Sequence, residues 1–343
     1  MEQFGTEREI AAMRHAITLA ERGLGHTSPN PIVGCVVLDA QGRPVGEGYH
    51  ARAGDAHAEV VALRSAGDAA RGGTAVVTLE PCRHTGRTDP CTQALIDAGV
   101  SRVAYAVDDP NPAAAGGAQA LRSAGVDVVP GVLAVEAAQS NEAWLHRART
   151  GKPFVTWKFA ATLDGRSAAA DGTSRWITGA AARRDVHVLR STADAIVVGT
   201  GTVLSDDPAL TVRLGDVSMS RQPLRVVVGR RQLPASARVL DDAAPTLLVS
   251  DRDPGAVLKV LAERDVVSVL LEGGPTLAGA FMGAGVVDKV VGYLAPAFLG
   301  SGAAALGDAG IATLGDALRW HVDALDMVGG DVRVVARPRR AGE

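Results

Sequence analysis

The sequence predicts two α/β domains in tandem: a three-layer α/β/α domain over residues 1–149 and a mixed-sheet α/β domain over 150–343. Three observations carry this expectation. A length of 343 residues exceeds one ordinary domain and makes two the natural number. Segments with helical apolar spacing alternate with short Val-, Ile- and Leu-rich runs bounded by Gly, Pro, Asn or Asp, the pattern of helices layered on sheets. A basic stretch near 146–152, ending in Gly151 and Pro153, separates two halves whose chemistry-bearing residues differ in kind.

Composition narrows the class of function. Hydrophobic residues make up 47% and charged residues 21%, enough for both domains to bury a core. A net charge of −3 argues against nucleic acid or an anionic membrane as partner. The basic cluster at 337–340 reads as a solvated tail. Three cysteines do not make a disulfide framework and fit a reducing compartment. The polar, acidic start at 1–9 has no apolar core of signal-peptide length, and no apolar run is long enough to span a bilayer. A cytoplasmic protein is expected.

In the first half, Thr6 and Glu9 form a capping box for a helix that carries Ile10, Met13, Ile17 and Ala20 and stops at Gly23 and Gly25. Pro29-Asn30-Pro31 forces an extended loop. A buried strand over 32–38 follows, with Cys35 as a small core residue, and a second strand leads to Tyr49-His50. A helix is expected over 58–66 and a strand over 75–79. The next helix is capped by Thr88 or Asp89 with Pro90 at its first position. Strand 102–107, helix 117–124, strand 126–129 and a helix over 133–149 complete the domain.

The chemistry of this half concentrates between His57 and Cys91. His57-Ala58-Glu59 is followed by Pro81-Cys82, eight residues, and Cys91. Catalytic zinc takes three protein ligands and keeps a position for water, and one imidazole with two thiolates suits it. His57 and Cys91 fall at helix N-termini, where the dipole favours the thiolate. Glu59 is spaced to serve the metal's water without ligating the metal. This is the arrangement of hydrolytic nucleobase deaminases, whose signature is H-x-E followed by P-C-x-x-C. The gap here is eight residues instead of two, and it inserts Arg83, His84 and Arg87, a loop suited to a phosphate.

Further motifs stand in order: Asn30-Pro31, Val33-Gly34-Cys35, Gly48-Tyr49-His50, Ala53-Gly54, Leu79-Glu80-Pro81-Cys82, Gly86-Arg87-Thr88 and Asp109-Pro110-Asn111-Pro112. Together they resemble the N-terminal domain of the bifunctional deaminase/reductase family of riboflavin biosynthesis. The resemblance implies a cytidine-deaminase-like domain and one Zn²⁺ per deaminase site, held by His57, Cys82 and Cys91 with Glu59 catalytic. It implies removal of the 2-amino group of 2,5-diamino-6-(5-phosphoribosylamino)pyrimidin-4(3H)-one. Asn30, His50, Arg87, Asp109 and Asn111 become substrate contacts, although asparagines beside prolines also serve as plain turn residues. Two departures from the family pattern, Asp89 before Pro90 and a short Ala115-Gly116-Gly117, touch no expected ligand.

In the second half, strand 154–160 carries one charge, Lys158, which alone would read as an exposed-face residue. A helix reaching about residue 192, a buried strand 195–198 and the turn Gly199-Thr200-Gly201 follow. This turn lacks the third glycine of the dinucleotide fingerprint, since Leu204 occupies that place. Residues 206–213 read as a charged loop and 216–222 as a connection. Strands are expected at 224–228, 246–249, 267–271, 286–294, 320–327 and 331–336. Glu272-Gly273-Gly274-Pro275 stands at a strand-to-helix junction whose amides suit a phosphate.

Lys158, Leu163-Asp164-Gly165, Trp176-Ile177-Thr178, Asp206-Asp207-Pro208, Leu210-Thr211 and Glu272-Gly273-Gly274 resemble the reductase domain of the same family. The resemblance implies a dihydrofolate-reductase-like domain that uses NADPH to open the ribose and reduce it to the ribitylamino product. Lys158 and Asp206 are then catalytic, Asp206 as acid or base. Ser174, Trp176, Arg190, Leu210, Arg213 and Glu272 face substrate. Thr162, Asp164, Trp176, Thr178, Gly199, Asp206 and Gly274 face cofactor. Expected partners are phosphorylated pyrimidines and further copies of the chain, as a dimer or tetramer, with no nucleic acid and no membrane. At this stage two other readings stay open: a deaminase of free nucleosides or tRNA, and a zinc-stabilised binding protein without turnover.

Overall fold

The computed structural model describes residues 5–83, 90–112, 114–214, 217–218 and 221–339. The chain divides into two compact units, Met1–Gly151 and Lys152–Glu343.

The first unit opens with α1 (Glu7–Glu21), closed at its start by the Thr6–Glu9 capping box. Strands β1 (Gly34–Leu38) and β2 (Pro44–Tyr49) form an antiparallel pair. Then come α2 (Ala58–Ala66), β3 (Thr74–Leu79), α3 (Cys91–Asp97), β4 (Arg102–Val107), α4 (Gly117–Ser123), β5 (Asp127–Val129), α5 (Ala134–Ser140) and α6 (Glu142–Thr150). The sheet order is β2-β1-β3-β4-β5, with β3, β4 and β5 mutually parallel. Alternation along the strands builds two cores. Cys35, Val37, Val77, Val103 and Tyr105 pack against Ala58 and Ala62 of α2, Leu95 of α3 and Leu121 of α4. Val36, Leu38, Val76, Ala104 and Val129 pack against Met13 and Ile17 of α1 and Ala137 of α5. This is the expected three-layer α/β/α arrangement.

Two local expectations need correction. The helix expected over 133–149 is two helices, broken at Asn141. Its side chain donates to the Ile32 carbonyl at 3.1 Å and accepts from the Ile32 N–H at 3.4 Å. Pro90 stands at the N-cap of α3 rather than inside it; Thr88 and Asp89, with Gly86 and Arg87, lie outside the described residues.

The second unit carries β6 (Phe154–Thr162), α7 (Ala180–Thr192), β7 (Ala195–Gly199), α8 (Thr200–Asp206), the short pair β8 (Arg213–Leu214) and β9 (Val217–Ser218), and β10 (Leu224–Val228). It continues with β11 (Thr246–Val249), α9 (Pro254–Ala262), β12 (Ser268–Leu271), α10 (Pro275–Gly283), β13 (Lys289–Ala295), β14 (Trp320–Val328) and β15 (Asp331–Pro338). Eight strands form one mixed sheet in the order β11-β10-β7-β12-β6-β13-β15-β14, antiparallel only at β13-β15-β14. One face packs Val257 and Leu261 of α9 and Phe281 of α10 on Val155, Val197, Val226 and Leu271. On the other, Ala182 and Val186 of α7 cover Val291 and Tyr293. The mixed-sheet α/β class is as expected. Helix α8 is not: the glycine turn and the start of the charged loop are helical through Asp206, because Thr200 and Val203 bury there.

Candidate active sites

In the first unit, the ends of three elements meet at one point. His57 is the N-cap residue of α2, Cys91 begins α3, and Cys82 lies three residues past the end of β3. Their donor atoms lie within 4.8 Å of one another. His57 Nδ1 is 3.1 Å from Cys91 Sγ and 3.6 Å from Cys82 Sγ. Both cysteines are buried and His57 is half-buried. Among the described residues this is the one group of three or more such donors compact enough for a metal. The set fits zinc in softness and in number, leaving one of zinc's usual four positions for water.

The electrostatics agree with a thiolate site. Hydrogen bonds from Cys91 and then His57 hold the Cys82 thiol down at about 4, and the hydrogen bond to Cys82 raises His57. Cys91 is pushed up because it supplies the proton that Cys82 accepts and because it is buried. A metal cation held by His57, Cys82 and Cys91 would take the place of that shared proton. Glu59, on the first turn of α2, is 3% exposed; burial, then Cys82, pushes its carboxyl above the usual range.

Around this centre, Asn30 Nδ2 lies 3.2 Å from His50 Nε2, while His50 Nδ1 lies 3.2 Å from the Ala56 carbonyl. The His50 and His57 rings meet edge to face with centroids 5.5 Å apart. Asp109 is buried and accepts the Asn111 N–H at 2.8 Å. The sequence had given Glu80 no role. Its carboxylate accepts the N–H of Asp109 at 3.2 Å and of Ala118 at 2.9 Å, tying the cysteine loop to both neighbours.

In the second unit, Lys158 of β6, Arg190 of α7 and Glu272 beyond β12 form a charged cluster. The Arg190 fork donates Nε and Nη2 to the two Glu272 oxygens at 2.6 and 2.9 Å, and Nη1 to the Thr211 carbonyl at 3.2 Å. Burial pushes Glu272 up, but Arg190, then Lys158 and His187, outweigh it and hold the carboxyl below its usual range. Burial pushes the Lys158 ammonium down, with Arg190 adding and Glu272 opposing. Arg213 is exposed at the start of β8, and its N–H donates to His187 Nδ1 at 3.2 Å. Leu210 is buried with φ +51°.

A second group gathers at the end of α8. Ser174 Oγ donates to Asp206 Oδ1 at 3.4 Å, and Arg175 donates to the Asp206 carbonyl. Trp176 is 68% exposed, with the Arg183 guanidinium 4.5 Å from its ring centroid and the Thr178 carbonyl accepting from Arg183 Nη1 at 2.7 Å. Gly199 N-caps α8, and Thr202 Oγ1 accepts the Gly274 N–H at 3.0 Å, so the ends of neighbouring β7 and β12 are pinned together. Thr162 and Asp164 form a third group. The Asp164 carboxylate accepts from Thr162 Oγ1 and from the N–H groups of Leu299 and Gly300.

Two domain models match the chain: the cytidine and deoxycytidylate deaminase zinc-binding region over residues 6–107 and the RibD C-terminal domain over 153–334. Riboflavin biosynthesis protein RibD of Mycobacterium tuberculosis (strain ATCC 25618 / H37Rv) is 53% identical over 323 residues, covering 94% of this chain and 95% of that one. RibD of Acinetobacter baumannii (form 1) superposes with a TM-score of 0.90 at 39% identity, over 97% of this chain and 99% of the other. A diaminohydroxyphosphoribosylaminopyrimidine deaminase/5-amino-6-(5-phosphoribosylamino)uracil reductase from Thermotoga maritima gives a TM-score of 0.90 at 35% identity with the same coverage. Matched along nearly its whole length, with both domain models in the same order, the chain belongs to the RibD family of riboflavin biosynthesis proteins.

Proposed function

We infer that this chain is a bifunctional enzyme of riboflavin biosynthesis, a zinc hydrolase in its first unit and an NADPH oxidoreductase in its second. The observation that carries the hydrolase is the convergence of His57, Cys82 and Cys91 within 4.8 Å beside the buried Glu59. Its substrate is 2,5-diamino-6-(5-phosphoribosylamino)pyrimidin-4(3H)-one. Zinc at this point supplies Lewis acidity that brings the pKa of an attacking water toward neutrality. Glu59 takes the proton of that water and returns it to the 2-amino group, which departs as ammonia. A carboxyl pushed up by burial suits a group that must both accept and give a proton. Asn30, His50, Asp109 and Asn111 contact the substrate. Arg87 serves the ribose phosphate.

The second unit reduces 5-amino-6-(5-phosphoribosylamino)uracil to the ribitylamino product. NADPH supplies the hydride, and the protein supplies position. The carboxyl ends of β7 and β12 suit a dinucleotide, since the chain leaves β7 for β10 on one side and leaves β12 for β13 on the other. Side chains would crowd them: a Cβ on Gly273 would lie 2.7 Å from Leu277 Cδ2, and one on Gly274 3.2 Å from Thr202 Oγ1. Gly199, Gly274, Thr162, Asp164 and Thr178 face the cofactor, with Trp176 and Asp206 between cofactor and substrate. Asp206 moves the proton in ribose opening, and Lys158, its ammonium destabilised by burial, polarises the oxygen. Glu272, held rigid by Arg190, receives ribose hydroxyls, and the exposed Arg213 receives the phosphate. Ser174 and Leu210 complete the substrate side.

We place the enzyme in the cytoplasm as a homo-oligomer without nucleic-acid or membrane partners. Three unpaired buried cysteines support a reducing compartment. Apolar residues on edge strand β14 support self-association: Val322, Leu325 and Met327 are 52%, 68% and 66% exposed. Among the described residues, no helix is long and apolar enough to cross a membrane.

The decisive experiment is Glu59→Gln. It should keep stoichiometric zinc and slow ammonia release by roughly 10²–10⁴-fold, the usual contribution of a general acid–base group. NADPH oxidation with the deaminated substrate should persist. Ammonia release at the wild-type rate would remove Glu59 from the mechanism.

A further inference from the structure

We propose that His187 is a positioning residue of the reductase site: its neutral imidazole holds the backbone turn that presents Arg213 to the substrate phosphate. The inference rests on the reading of the second unit as a reductase and of Arg213 as its phosphate cation.

Residues 211 and 212 run outside any helix or strand, so their backbone groups need other partners. Side chains provide them. Arg190 Nη1 donates to the Thr211 carbonyl at 3.2 Å. The Gln222 amide accepts the Val212 N–H at 2.7 Å and donates to the Val212 carbonyl at 3.1 Å. His187 Nδ1 accepts the Arg213 N–H at 3.2 Å. His187 and Arg190 are three residues apart on α7 and so share a face. One helix therefore grips both ends of the turn, while Gln222 grips its middle.

Of these holds, only the His187 contact changes near neutral pH. A neutral ring has one acceptor nitrogen; a protonated ring has none. Protonation thus removes the partner of the Arg213 N–H and brings a cation beside Arg213 itself. The charged groups facing the ring are Arg190 from its own helix, Arg213 from the turn and Glu272 from the end of β12. Burial, then Arg190 and Arg213, push the imidazole below its ordinary range, while Glu272 and the Thr211 carbonyl pull the other way. The neutral form is the resident one at pH 7, and the hold is lost as the pH falls through the depressed pKa.

The test is steady-state reduction of 5-amino-6-(5-phosphoribosylamino)uracil from about pH 5 to 8, across the range where histidine titrates. It compares the wild type with His187→Ala, His187→Gln and Arg213→Ala, using the calorimetric transition of the second unit to confirm that this unit is folded. His187→Ala should raise KM roughly three- to tenfold, the worth of one hydrogen bond, and lower kcat by less. Wild-type KM should climb at the acid end. His187→Gln, whose amide oxygen accepts without titrating, should restore KM and abolish that climb. An unchanged KM in His187→Ala overturns the proposal, as does an acid climb retained in His187→Gln. Arg213→Ala separates the levels. If it raises KM and His187→Ala does not, only the positioning role falls. If it leaves KM unchanged, the phosphate assignment falls and takes the proposal with it.

Discussion

Arg225, the second residue of β10, buries its whole guanidinium with no exposed surface. Its guanidinium donates to six acceptors: Thr246 Oγ1, the carbonyls of Ala209, Arg238, Asp241 and Ala244, and the Asp241 carboxylate at 2.7 Å. The charge is thereby matched, and the Ala209 carbonyl, next to the left-handed Leu210, is fixed in place. Replacing Arg225 with Met removes the charge but leaves buried carbonyls without donors. The expected cost is about 3–5 kcal/mol of stability in the second unit. Urea unfolding followed through that unit measures it, and a loss below about 1 kcal/mol, the worth of a single ordinary hydrogen bond, would refute the account. No reading of the sequence singles out this arginine, because its partners Ala209, Asp241 and Ala244 lie in irregular segments and Arg238 in a short 3-10 turn. Glu80 and His187 escape for the same reason: each is defined by backbone groups 26 to 38 residues away. The zinc donors are legible because their identity, more than their contacts, carries the chemistry, and because prolines mark both cysteines.

Helices act in this molecule chiefly through their first turns. The start of α4 abuts the cysteine loop: a Cβ on Gly117 would lie 1.7 Å from the Pro81 carbonyl oxygen, and the Ala118 N–H is taken by Glu80. No rotamer can relieve such a clash, since a Cβ is fixed by its backbone and the Pro81 oxygen is itself backbone. Gly117→Ala must therefore shift the Pro81-Cys82 segment and the start of α4 apart, disturbing the placement of Cys82. The expected result is a fall in zinc affinity of about tenfold or more, in the range seen when groups supporting a metal's ligands are disturbed. Competition with a chromophoric chelator reads this directly, and wild-type affinity would mean that the loop yields without moving Cys82. At this scale the sequence is legible wherever a periodic run and its cap agree, as in α1. It fails where tertiary contacts decide. The break at Asn141 depends on Ile32, 109 residues away, and α8 forms through a Thr-Gly-Thr start that local propensity disfavours.

Each unit owns its core, with separate apolar clusters on the two faces of its sheet. Two activities in units with independent cores predict two independent responses to ligand. Zinc bound by the folded first unit stabilises that unit by linkage, about 4 kcal/mol when free metal stands at a thousand times its dissociation constant. The metal's contribution to binding is also a contribution to folding, since the three donors come from three separate elements that only the fold assembles. Chelation should therefore lower the calorimetric transition of the first unit and abolish ammonia release. The transition of the second unit should stay where it is, and NADPH oxidation with 5-amino-6-(5-phosphoribosylamino)uracil should continue. NADPH added to the chelated protein should raise only the second transition, because the match to the RibD C-terminal domain lies within that unit alone. A single transition that shifts as a whole with either ligand would contradict the independence of the units. A reductase that dies with zinc removal would contradict the assignment of the metal to the deaminase alone, since no donor of the metal group lies beyond Cys91.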